Sequence, residues 1–225
     1  MFGHIDIEHT VSNADLIKQF TAAKGVGNLV AVLDTGLWRH SDLPDPAFAV
    51  NFSNSRSVYD AVGHGTHVAG IIGARLNNTG VVGWAPECQI GCVKVLGDDG
   101  SGGDSGIVKG IEYAVKAGAD IINMSLGGGY SPAIERACNA AVAAGKFVIA
   151  AAGNDGFVPG QNTIGYPARL PTVLAIGSYR LARFWLPALP AFALQKAIST
   201  TIRDHARDYW TGTVYTTNRR VWEHD

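Results

Sequence analysis

The chain has 225 residues, 47% of them hydrophobic, which is enough for one domain with a full core. Eighteen Lys and Arg nearly balance nineteen Asp and Glu, for a net charge of −1, so the sequence carries no electrostatic footprint for nucleic acid or an anionic membrane. The three cysteines, Cys88, Cys92 and Cys138, are odd in number and make no disulfide framework.

Met1 to Glu8 lack the basic segment and apolar run of a signal peptide. The longest apolar runs, near Ala137 to Ala152 and Phe184 to Leu194, are interrupted by Lys146 and by two prolines, and fall short of the ~20 residues a span needs. No transmembrane helix is expected, and the location expected is cytoplasmic as the sequence stands, or secreted if its N-terminus is trimmed.

After an N-terminal segment, 1–25, short apolar runs alternate with helical patterns from about Val26 to Ser178, the mark of an α/β fold with a parallel sheet flanked by helices. The first run, Leu29 to Leu33, predicts a buried strand ending at Asp34-Thr35-Gly36. A carboxylate there, before a Gly that lets the chain turn, suits a turn former. It also suits aspartic-protease chemistry, but that needs two carboxylates sharing a proton, and the chain has one Asp-Thr-Gly. Thirty residues on, Gly63-His64-Gly65-Thr66-His67-Val68-Ala69-Gly70 predicts the start of a helix. His64 and His67 are spaced to bind a metal, although the Glu of the zinc-protease helix motif is absent.

Ile90 to Leu96 predicts the next strand; if Cys88 to Cys92 is extended too, these two lie roughly 13 Å apart, beyond bridging. Ile107, Ile111, Ala114 and Val115 follow a helical period that Gly118 stops, and Ile121 to Met124 predicts a strand. Ser131 as cap, Pro132 at the first helical position and Gly145 after the end frame another helix. Phe147 to Ala151 and Val173 to Ile176 complete the strands. Right-handed crossovers then place functional groups at the carboxyl ends of the strands.

The composition changes after Ser178. Of 28 glycines only Gly212 lies later, whereas six of eleven arginines and three of five tryptophans do. Residues 179–225 are therefore set apart as a tail, which reads either as a C-terminal helix through Phe192, Gln195, Ile198, Ile202 and Tyr209, or as a segment foreign to the fold. A change of frame or a fusion near Ser178 accounts for the second.

Asp34-Thr35-Gly36 followed by His64-Gly65-Thr66-His67-Val68-Ala69-Gly70 resembles the subtilase family in order and spacing. Gly83-Trp84-Ala85-Pro86 with Val93-Lys94-Val95-Leu96, Asn123-Met124-Ser125-Leu126-Gly127-Gly128, Ala150-Ala151-Ala152-Gly153-Asn154 and Tyr166-Pro167-Ala168 extend the resemblance over 26–178. It implies a truncated subtilisin-like α/β catalytic domain: a serine endopeptidase acting on peptide or protein substrates, with no organic cofactor. It implies that Asp34 orients His64, that His64 is the general base, and that Asn154, beside Gly153, donates to the oxyanion. Gly100, Ser101 and Gly102 would form one substrate-binding edge, and Ser125, Leu126 and Gly127 the facing wall. Leu76-Asn77-Asn78-Thr79-Gly80-Val81 resembles the family's calcium loop, one residue short, with Asp42 and Asn78 as ligands.

The family's Gly-Thr-Ser-Met-Ala-like turn, which supplies the nucleophile, occurs nowhere in the chain, and after Asn154 the serines are Ser178 and Ser199, neither in such a turn. The expectation is a subtilase that does not turn over peptides. The alternatives are a pseudoprotease binding peptides in an intact cleft and a metal-dependent hydrolase using His64 and His67.

Overall fold

The computed structural model describes residues 24–78, 80–155 and 161–177. Among these residues there are six strands and three helices, in the order β1 (Leu29–Asp34), β2 (Phe48–Asn51), α1 (His64–Gly73), β3 (Gln89–Lys94), α2 (Asp104–Lys116), β4 (Ile121–Met124), α3 (Pro132–Ala143), β5 (Phe147–Ala151) and β6 (Leu174–Ile176). The strands form one sheet in the order β2-β3-β1-β4-β5-β6, and every pairing is parallel. This is the expected α/β architecture. The tail at 179–225 and the N-terminal segment up to residue 23 lie outside the described residues, as do Ser178 and Ser199.

The sheet is covered on two faces because its strands are apolar on both. Ala31 and Leu33 of β1, Val93 of β3, Ile122 and Met124 of β4 and Val148 and Ala150 of β5 meet Ile107, Ile111 and Ala114 of α2 and Ile134, Ala137, Cys138 and Ala141 of α3 in the larger core. Val30 and Val32 of β1 point the other way, as the two-residue period of a strand requires, and pack with Ile90, Cys88 and Ala69 of α1. Among the described residues, α1 is the helix on that second face. Over β5 and β6 the face is more open, with Phe147 48% and Ile176 37% exposed.

The helix ends follow local chemistry. Ser131 Oγ accepts from the Ile134 backbone N–H at 3.4 Å, Pro132 opens α3, and Gly145 takes a positive φ of 78° just past its end. β2 was not expected from the sequence; it is a four-residue edge strand, one residue of it exposed and the others half-buried. Cys88, Cys92 and Cys138 are buried free thiols.

The chain leaves β1 toward β2 and β3 on one side and later returns to β4 on the other. The crevice at this reversal lies beyond the carboxyl ends of β1, β3 and β4, where open α/β sheets bind ligands.

Candidate active site

Asp34 is the last residue of β1, and its side chain is buried. His64 is the first residue of α1. Their Nδ1 and Oδ1 atoms stand 2.7 Å apart, with the imidazole side chain 49% exposed and the carboxylate 1%. A carboxylate can only accept, so Nδ1 carries the donated proton and the Nε2 lone pair is left free to act as a base. The hydrogen bond from His64 to Asp34 raises the imidazole's pKa; burial lowers it, and the charges of Asp34 and Asp60 raise it further, for a net rise. Asp34 Oδ1 also accepts from the Thr35 backbone N–H at 2.7 Å, while its Oδ2 is buried without a hydrogen-bond partner among the described residues.

Two glycines allow α1 to press against the end of β1. A Cβ at Gly65 would run into the Gly36 carbonyl, and one at Gly36, where φ is 117°, would run into the Val58 carbonyl.

The His64 ring opens onto a cleft of about 620 Å³. Gly100, Ser101 and Gly102 line one side of it and Ser125, Leu126 and Gly127 another, so the structure brings these six sequence-predicted residues together with His64. The first side is a tight loop in which Ser101 Oγ donates to Asp99 at 2.7 Å. The second continues into Gly128, which exchanges backbone hydrogen bonds with Tyr166 at 2.9 and 3.0 Å. Gly153 and Asn154 sit in an exposed bend after β5 and are not among the residues lining this cleft.

His67 is exposed on α1, and among the described residues no group of three or more His, Cys, Asp or Glu side chains converges on one point. In the predicted loop Asn78 takes a positive φ of 64°, and it is its neighbour Asn77 that reaches Asp42. Asp42 is buried, its Oδ1 accepting from Asn77 Nδ2 at 3.1 Å and its Oδ2 from the Val81 backbone N–H at 2.9 Å. Calcium requires a shell of oxygens. Two of the groups on this carboxylate are N–H donors, and among the described residues no group of three or more His, Cys, Asp or Glu side chains gathers here.

Two buried charges escaped the sequence reading. Asp60, in the loop before α1, receives hydrogen bonds from both sides of the Asp34–His64 pair. Lys94, fully buried at the end of β3, donates to the Thr35 carbonyl and, at 3.2 Å, to the Tyr59 carbonyl, and pairs with Asp98 at 2.9 Å. A Lys inside an apolar run was the available signal, since a buried ammonium must find acceptors.

A histidine held by a buried carboxylate stands at the mouth of a cleft, on the carboxyl side of a parallel sheet, with one ring nitrogen left for acid–base chemistry. The chain belongs to the subtilase family, whose profile matches residues 25–216 and so runs past Ser178 into the segment that composition sets apart. It is 47% identical to Subtilisin DY of Bacillus licheniformis over 157 residues, covering 69% of this chain and 57% of that protein. It is 44% identical to Subtilisin BL of Lederbergia lenta over 155 residues (68% and 56%), and 43% identical to Alkaline elastase YaB of Bacillus sp. (strain YaB) over 163 residues (72% and 42%). The chain spans about half the length of these relatives. Among its described residues no helix is long and apolar enough to cross a membrane.

Proposed function

We propose that the chain has the design of a serine endopeptidase for peptide or protein substrates, with Asp34 and His64 as its assembled acid–base pair, and that as its sequence stands it does not turn substrates over. The observation that carries this reading is the 2.7 Å contact between His64 Nδ1 and the buried Asp34 carboxylate at the cleft mouth. In that arrangement Asp34 fixes the tautomer and stabilises the cation formed when His64 Nε2 takes a proton from a nucleophile. Asn154 supplies a side-chain amide for the oxyanion of the tetrahedral intermediate. The missing member is the serine: no Gly-Thr-Ser-Met-Ala-like turn is present in the 225 residues.

The test is an active-site fluorophosphonate label on the purified chain. No labelling is expected. Labelling that disappears with Ser178→Ala or Ser199→Ala would show that one of these serines serves after all, and would overturn the inactive reading.

A second reading, a peptide-binding pseudoprotease, is favoured by the cleft itself. Its two sides are short Gly-containing segments, Gly100 to Gly102 and Ser125 to Gly129, whose backbones a peptide can approach and pair with as an added strand. Saturable fluorescence anisotropy with a labelled extended peptide, blocked by Gly127→Val, supports it. Absence of saturable binding removes it.

A further inference from the structure

The Asp34–His64 pair joins two pieces of chain that are not otherwise continuous: the end of β1 and the first turn of α1. Asp60 lies between them, 5% exposed. Its Oδ1 accepts from the Thr35 hydroxyl at 2.8 Å, the Gly63 N–H at 2.8 Å and the Val62 N–H at 3.1 Å. Its Oδ2 accepts from the Thr66 N–H at 2.8 Å and the Thr66 hydroxyl at 2.7 Å. Thr35 follows Asp34 directly, and Gly63 and Thr66 bracket His64. The same two hydroxyls tie the pieces a second time: Thr35 Oγ1 accepts from the Gly65 N–H at 2.9 Å, and Thr66 Oγ1 from the Trp38 N–H at 2.9 Å.

All five groups around Asp60 are donors, so only an ionised carboxylate satisfies them; an amide would turn an N–H₂ toward hydroxyls and backbone N–H groups. Burial pushes the Asp60 carboxyl's pKa up, but the hydrogen bonds from Thr66, Gly63 and Thr35 outweigh it and hold the group below the ordinary carboxylate value. The first turn of α1 has no cap from its own N-cap residue, Gly63, so Asp60 supplies the acceptors that the helix start lacks. From the other side, Lys94 donates to the backbone carbonyls of Thr35, which Asp60 holds, and of Tyr59, which precedes Asp60.

We propose that Asp60 is a positioning residue, a buried clamp that, through Thr35 and the first turn of α1, sets the distance and angle between Asp34 and His64. The proposal rests on the reading of those two residues as the acid–base pair. Asp60 touches neither substrate nor a reacting atom; it acts by holding the strand end and the helix start in one register.

The experiment is NMR of the His64 ring in the full chain: the low-field Nδ1 proton and the ring's titration. The charged groups that act on the ring are Asp34 from β1 and Asp60 from the preceding loop; His67 follows three residues along α1, and Lys94 from β3 reaches the Thr35 carbonyl. In the unmodified chain the Nδ1 proton is expected downfield and the titration above that of a free imidazole. Asp60→Asn should abolish the downfield signal and move the titration toward the free value.

Because that change also removes a charge, Thr35→Val, which keeps the charge, must shift both readouts in the same direction, and Thr35→Ser must restore them. Asp42→Asn, which loosens a loop elsewhere, should lower the melting temperature and leave His64 unmoved. If Thr35→Val leaves the signal and titration as they were, or moves them no more than Asp42→Asn does, the clamp is wrong. A variant of Asp60 that fails to fold leaves the Thr35 pair to decide. If the unmodified chain itself shows a free imidazole, the acid–base pairing fails first, and the clamp with it.

Discussion

The junction of β1 with α1 and the far end of the sheet at β5 and β6 are built to different standards. At the junction both sheet faces are covered, Asp34 is fully buried, and hydroxyls and amides from Thr35, Gly63 and Thr66 close on one carboxylate. At the far end Phe147 and Ile176 stand partly in solvent, and Asn154 projects from an exposed bend. The contrast teaches that the Asp34–His64 junction is a unit that satisfies its own polar groups. The β5 and β6 end is not closed in that way among the described residues.

The largest expected effect separates the two ends by chemistry. Hydrolysis of a chromogenic peptide should stay at background, since in subtilisin loss of the nucleophile costs about 10⁶ in turnover. Turnover that vanishes with His64→Ala would mean that a nucleophile reaches the site, and the contrast would be lost.

Stability gives the next comparison. Leu33→Ala, at a fully buried position beneath α2, should cost about 2–5 kcal/mol in a urea melt. Ile176→Ala, on the open strand, should stay within about 0.5 kcal/mol. Equal losses would show that the β6 face is covered in solution.

Gly65→Ala probes the junction's close approach. The new methyl would meet the Gly36 carbonyl and lie 3.1 Å from the Asp34 Cβ. Overpacking of this kind costs about 1–3 kcal/mol. A variant as stable as the parent, with the His64 resonances unchanged, would show the junction to be softer than its contacts imply.

The smallest effect is electrostatic. The hydrogen bond with Asp34 raises the pKa of folded His64 above that of the unfolded chain. Protonated His64 therefore adds stability in full below about pH 6.5, and the contribution fades as pH rises through the folded value. The side chain is half in solvent, which keeps the contribution below about 1 kcal/mol. His64→Ala should flatten the decline in stability that sets in as pH rises above about 6.5; an unchanged slope would place the titration elsewhere.

Much of this was legible in the sequence, for identifiable reasons. Strands such as Leu29 to Leu33 and Phe147 to Ala151 are buried on one or both faces, so they read as apolar runs, and Gly118 and Gly145 mark helix ends because each takes a positive φ. β2 was missed because Phe48, Ala49 and Val50 form too short a run at a half-exposed edge. Asp60 was missed for a different reason. Among Arg56, Ser57 and Tyr59 it reads as a polar loop residue, and its role arises from Thr35, 25 positions away in sequence. The meeting of Asp34 with His64 was inferred from a resemblance; periodicity alone gives the ends of a strand and a helix, not their contact.

The three buried cysteines offer a way to watch the layers of the fold come apart. Burial pushes the thiols of Cys88 and Cys138 up to about 11 and that of Cys92 up to about 12, so in the closed molecule they are neutral and sheltered from alkylating reagents. Cys138, on α3, faces the larger core, and Cys88 lies in the smaller core beside α1. Each thiol thus becomes a timer for its own face: the rate at which a reagent captures it counts how often that layer lifts from the sheet, and the two clocks need no engineered probe.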